Sequence, residues 1–161
     1  MANVTLIRVD FRLIHGQVAT KWVKVAQASK IVVVDDASSK DELLKSVLKM
    51  AAPQGVKCLV YSQERCVEKW KETQFGEGKV MMVFKDIPTC YAAWKDGLAV
   101  PKLQLGNVPN REGRKTLFGE VFVDENEMAM LKEMAAAGVE IEIHTIPDGP
   151  GSSFERAASK Y

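Results

Sequence analysis

The chain has little of what most reaction centres are built from. Two histidines, His15 and His144, stand in 161 residues, so any imidazole chemistry runs through one or both. The three cysteines, Cys58, Cys66 and Cys90, form no CxxC pair. An odd, sparse set excludes a disulfide framework and a zinc ribbon and suits a reducing compartment. Net charge is nearly absent, with 22 Lys and Arg against 21 Asp and Glu. That balance excludes nucleic-acid binding by bulk positive charge and a polyacidic tail. No apolar run approaches the ~18–20 residues that span a bilayer, and the N-terminus carries no signal-like apolar stretch. The expectation is a cytoplasmic protein without membrane insertion. Neither GxxxxGK(S/T) nor GxGxxG occurs, so no nucleotide loop is offered.

What is present is a core. Hydrophobic residues make up 47%, which excludes intrinsic disorder, and the length predicts one domain over 1–161. Val4–Val9, Ile31–Val34, Lys57–Tyr61, Val80–Phe84 and Lys102–Leu105 read as strands. Leu117–Val123 reads as one more strand, weakened by Gly119. Val139–Ile146 alternates apolar and polar residues, the signature of a sheet edge or a solvated face. Helical spacing fills the gaps. Val18, Trp22 and Val25 mark the first helix. Ser39 is the predicted N-cap of a second, whose core face is Leu43, Leu44, Val47, Leu48 and Ala51. Further helices are expected over Gln63–Thr73, from Ile87 to Trp94, over Asp124–Ala137 and over Ser152–Ala158. Strand-helix alternation predicts an α/β fold: a mostly parallel central sheet of about seven strands with helices on both faces. Ligands of such sheets bind beyond the carboxyl ends of the strands.

The densest polar cluster lies on that rim, between the first strand and the first helix: Arg8-Val9-Asp10-Phe11-Arg12-Leu13-Ile14-His15-Gly16-Gln17. A helix start after His15 offers free N–H groups and partial positive charge. Gly16 and Gln17 would cradle a phosphate there, since Gly16 has no side chain to block approach. Arg8 and Arg12 each offer several donors to phosphate oxygens. Asp10 is expected to orient the imidazole and fix its tautomer, leaving the other nitrogen as nucleophile. Phe11, Leu13 and Ile14 have two readings, a partner contact or anchoring of the loop in the core. Residues 1–30 carry a net +4 and the remainder −3, so the cluster sits in a basic segment that the near-neutral total conceals.

The stretch RVDFRLIHGQV, Arg8 to Val18, resembles the active-site loop of IIB components of the mannose/fructose/sorbose family. These belong to the phosphoenolpyruvate-dependent sugar phosphotransferase system, and their loops typically read RIDDRLIHGQV. The likeness extends over the chain, through the IVVVDD strand at Ile31–Asp36, the Gly106-Asn107 turn and the ending from Gly138 to Pro147. Phe11 departs from the pattern, where the family often has a second acid. The resemblance implies that His15 is phosphorylated on Nδ1 by a IIA phosphohistidine, with Arg12 flanking the phosphoryl group. It also implies transfer to a sugar held by membrane IIC and IID proteins, and no cofactor. Overall likeness leans toward an N-acetylgalactosamine-type sugar.

Two other functions compete. Asp35, Asp36 and Asp86 could form a receiver-like aspartyl-phosphate site, although Asp86 also reads as an N-cap before Ile87-Pro88. The Gly149-Pro150-Gly151-Ser152-Ser153 stretch offers an anion-binding turn of a non-catalytic module. His144 reads as an exposed strand histidine, since no metal-ligand spacing surrounds it. Cys66 and Cys90 read as small buried hydrophobes.

Overall fold

A computed structural model describes residues 3–161. In chain order the elements are β1 (Asn3–Asp10), α1 (Gly16–Ala26), β2 (Lys30–Val34), α2 (Asp36–Ser39), α3 (Glu42–Ala51), β3 (Lys57–Tyr61), α4 (Gln63–Thr73) and β4 (Lys79–Phe84). There follow α5 (Ile87–Lys95), β5 (Lys102–Asn107), β6 (Lys115–Phe118), β7 (Val121–Val123), α6 (Glu125–Ala136), β8 (Glu140–His144), β9 (Gly151–Ser153) and α7 (Phe154–Ser159). Seven strands make one sheet in the order β3-β2-β4-β1-β5-β8-β9. Every neighbour pairs in parallel except β9, which runs antiparallel to β8. The expected α/β architecture is therefore the one adopted.

The count of seven is met with one different member. Residues 117–123 are not a single strand of the main sheet. Gly119, at φ +53°, turns the chain, and β6 and β7 pair with each other as a separate hairpin. The seventh place goes to β9, a three-residue segment too short and polar to stand out by composition.

Because parallel strands are buried on both faces, β2 and β4 are continuous apolar runs. Val32, Val34, Met82 and Phe84 join Ile87, Cys90, Leu131 and Met134 in the larger core, under α4, α5, α6 and α7. Ile31, Val33, Met81 and Val83 point the other way, onto Ala19, Trp22 and Val23 of α1 and Leu48 of α3. On that second face, Lys102 and Glu140 lie exposed at β5 and β8, the solvated face that the alternation in Val139–Ile146 predicts.

The region after β2 needs correction. Ser39 is not an N-cap. Asp35 caps the one-turn α2, and Ser39 lies inside it, its hydroxyl donating to the Asp36 carbonyl. Asp41 caps α3, accepting from the amides of Leu43 and Leu44 at 3.0 and 3.1 Å. The expected core face of that helix is also wrong: of Leu43, Leu44, Val47, Leu48 and Ala51, only Leu48 is buried.

All three cysteines are free and buried. Burial pushes the Cys58 thiol up to about 11 and the Cys66 thiol up to about 12, and raises Cys90 as well. Thiolate is the reactive form, so raised values suppress alkylation and disulfide exchange. In native protein at pH 8, a chromogenic disulfide reagent is expected to leave all three untouched while the urea-unfolded chain titrates fully. Rapid reaction of a native thiol would contradict this packing.

Candidate active site

Strand β1 lies in the middle of the sheet, between β4 and β5, and delivers the Arg8–Gln17 segment to the carboxyl rim. Its last residue, Asp10, pairs with Asn107 of β5, and the Phe11 amide donates to the Asn107 carbonyl. A tight turn follows, with the Leu13 amide donating to the Asp10 carbonyl at 2.9 Å. Leu13 takes a left-handed φ of +60°, a conformation that costs a branched residue on the order of 1 kcal/mol or more. Burial of its side chain, with that of Ile14, against the α1 core holds the turn in place. Those two residues are therefore loop anchors. Phe11 stays half-buried and lines a cleft with Lys85, Asp86, Val108, Pro109, Arg111 and Arg114.

His15 is the N-cap of α1, in extended conformation, and its imidazole is exposed. Its side chain makes no capping bond, and the first turn of the helix holds no acid. The first helical bond runs from the Ala19 amide to the His15 carbonyl, leaving the amides of Gly16, Gln17 and Val18 as unspent helix donors. Gly16 has φ +48°, and nothing lies within 4 Å of where a Cβ would be. The exposed imidazole thus stands at a helix end that attracts anions.

Behind the loop is a buried charge relay. Arg8 is 1% exposed, and its guanidinium carbon lies 5.1 Å from the Trp22 ring centroid. Its Nη1 donates to Gln104 Oε1 at 2.5 Å and to the His144 carbonyl at 2.7 Å. Its Nη2 donates to the Thr145 carbonyl at 2.7 Å and to Asp10 Oδ2 at 3.2 Å. Burial lowers the Arg8 pKa to about 10, the paired Asp10 opposing that shift. Asp10, also buried, turns its carboxylate on Arg12, accepting from the backbone amide at 3.0 Å and from Nε and Nη2 at 3.1 Å each.

Two expected roles change as a result. Arg8 is sealed in protein and is no donor to a phosphoryl group; it is a buried strut. Asp10 contacts two arginines and does not touch the imidazole of His15, so it orients Arg12 rather than the histidine. Arg12, unlike Arg8, reaches the surface. Its side chain is 23% exposed, and two of its donors are fixed by Asp10 while the rest remain available.

The supporting roles of Trp22, Gln104, Gly106 and Thr145 are not evident from the sequence. The Trp22 indole donates to the Thr145 carbonyl, and the Thr145 hydroxyl donates to the Gly106 carbonyl. Gln104 alone left a signal, as a polar residue between Leu103 and Leu105 in a buried strand. His144 is half-buried against Trp22, its Nε2 3.1 Å from the Gly149 carbonyl, so it serves the frame.

The competing sites resolve into structural roles. Asp35 accepts from the Ser38 amide and hydroxyl, Asp36 from the Gln63 amide, and Asp86 from the Thr89 amide as the N-cap of α5. Among the described residues no three His, Cys, Asp or Glu gather where they could hold a metal ion. The Gly149–Ser153 stretch is no anion turn: Gly151–Ser153 is β9, and Ser153 caps α7 through the Arg156 amide.

The family described as PTS system sorbose subfamily IIB component matches residues 4–159. The chain belongs to that family. It is 32% identical over 148 residues to the sorbose-specific EIIB component of Klebsiella pneumoniae, covering 92% of this chain and 90% of that one. The solved manxB of Thermoanaerobacter tengcongensis superposes with a TM-score of 0.93 at 34% identity, over 100% and 98% of the two chains. The mannose-specific EIIAB component of Escherichia coli K12 is 30% identical over 91% of this chain and only 46% of its own length. Fructose-specific and N-acetylgalactosamine-specific IIB components, of Bacillus subtilis and E. coli K12, are 26% and 27% identical. This sugar phosphotransferase component contains no helix, among the described residues, long and apolar enough to cross a membrane.

Proposed function

We propose that the chain is a phosphoryl carrier in sugar uptake. His15 Nδ1 takes a phosphoryl group from a phosphohistidine of a IIA protein or domain and passes it to a sugar held by membrane IIC and IID proteins, on the cytoplasmic side. The carrying observation is an exposed imidazole at an uncapped helix start, with a guanidinium fixed three residues upstream by a buried carboxylate. In the first step the donor P–N bond breaks as the bond to His15 forms, the electron pair returning to the donor imidazole. In the second, the His15 P–N bond breaks as a sugar hydroxyl attacks; the electron pair returns to the His15 imidazole, which regains a proton as the hydroxyl loses its own. Charge spreads over three equatorial oxygens in the transition state, so fixed donors count for more than covalent partners. Arg12 and the amides of Gly16 and Gln17 fill that part. The step calls for no cofactor.

The partnership with IIA is supported by the E. coli relative, whose name joins a IIA and a IIB portion. Serial use of one rim by two partners calls for small, transient interfaces, about 1,200 Å² or less. The amino-sugar leaning draws no support from identity, since the N-acetylgalactosamine relative, at 27%, lies below the sorbose relative at 32%. Reconstitution tests the reading. Label from phosphorylated IIA should load onto this chain and discharge only when IIC, IID and a sugar are all added. Discharge to sugar without the membrane components would overturn the order of transfer.

A further inference from the structure

Among the described residues, five large apolar side chains are exposed: Leu43, Leu44, Val47 and Met50 on α3, and Val25 on α1. Leu43 and Met50 are 73% and 84% exposed. Leu43, Val47 and Met50 recur at i, i+4, i+7, so they form one stripe, and it points away from the buried Leu48. A globular helix normally turns such a stripe inward, and an outward one marks a contact surface. Since α1 and α3 pack on the same face of the sheet, their outer sides face the same way.

Lysines outnumber acids around the stripe. Lys24, Lys40 and Lys49 are exposed and make no ion pair among the described residues. Helix α1 has no acid, and from Ala37 to Val56 the only acids are Asp41 and Glu42. Asp41 is spent on the cap, and Glu42 pairs with Lys45 at 3.4 Å. A second copy of the chain is a poor occupant, because a two-fold contact would bring two lysine-rich surfaces together.

We infer that the outer face of α1 and α3 docks on an anionic lipid bilayer. Leu43, Val47 and Met50 enter the boundary between headgroups and acyl chains, while Lys24, Lys40 and Lys49 meet lipid phosphates. Apolar insertion and phosphate attraction together are what hold an amphipathic helix in the plane of a membrane. His15, the N-cap of α1, is not among the residues that would meet the bilayer. The inference uses none of the residues assigned to phosphoryl transfer and stands or falls separately from that reading.

Vesicle co-sedimentation tests it on the full chain. The protein should pellet with vesicles of phosphatidylcholine mixed with phosphatidylglycerol, stay in solution with phosphatidylcholine alone, and be released by high salt. The double variant Leu43→Gln/Met50→Gln, at exposed positions, should lose about tenfold or more in binding. Lys40→Glu/Lys49→Glu should do the same, both variants keeping wild-type circular dichroism. Absence of wild-type pelleting with anionic vesicles would overturn the inference. So would equal pelleting with neutral vesicles, or undiminished binding by the Leu43→Gln/Met50→Gln protein. A concentration-dependent dimer that this variant abolishes, with no vesicle binding, would assign the face to a second copy instead.

Discussion

Replacing Gly106 with alanine is expected to destabilise the protein by about 3–5 kcal/mol, the cost of breaking a buried charge pair. Gly106 has an ordinary backbone, so the constraint is space: a Cβ there would fall on the guanidinium carbon of Arg8. Arg8 has nowhere to retreat. Its donors are committed to Gln104, His144, Thr145 and Asp10, and Trp22 lies against it. Moving it strands a cation and a carboxylate in the interior. For a chain of this size the loss corresponds to a fall in Tm on the order of 10 °C. A double-mutant cycle isolates the cause. In an Arg8→Met background, Gly106→Ala should cost far less, because the two changes act on one site and cannot add. Equal costs in both backgrounds would show that the Arg8 strut is not what Gly106 accommodates.

Arg12→Gln is expected to slow phosphoryl acceptance by about 10²–10³-fold while leaving stability near wild type. The reasoning separates the two arginines. Arg8 is sealed and structural; Arg12 reaches the surface with donors to spare. Without it, Asp10 still has Arg8 and the residue-12 amide, so the interior is not left with an unpaired carboxylate. Arg12→Lys should fall between, since an ammonium restores charge but cannot hold the two-pronged contact with Asp10 while addressing a phosphoryl oxygen. Stopped quench-flow with phosphorylated IIA reads the rate, and urea unfolding reads stability. A rate within threefold or so of wild type for Arg12→Gln would remove Arg12 from the transition state.

The main sheet and the site loop were legible because each rests on local pattern. Stretches of four to six residues rich in apolar side chains mark the parallel strands, and the Arg8–Gln17 stretch carries its polar groups within ten residues. The readings that failed depended on what periodicity omits. A helical repeat shows that α3 has an apolar face but not which way it turns, and Leu43 and Met50 turn outward. The spacing of Arg8 and Asp10 around His15 suggested a shared target. Asp10 instead serves the two arginines, and the other partners of Arg8 are distant in sequence: Gln104 lies 96 residues away and Thr145 lies 137 away. An arginine is expected at the surface by default, so only the three-dimensional frame reveals that Arg8 is a strut and Arg12 the exposed cation. By composition Gly119 only weakens a single strand, whereas its positive φ makes it the turn between two.

Incubation with phosphorylated IIA, followed by chemical stability and peptide mapping of the labelled chain, tests the central claim most directly. The account predicts one phosphoryl group per chain, labile in acid, stable in base, mapping to His15 and absent from His15→Ala. Label that persists in His15→Ala, or that is lost in base as an acyl phosphate would be, would contradict it.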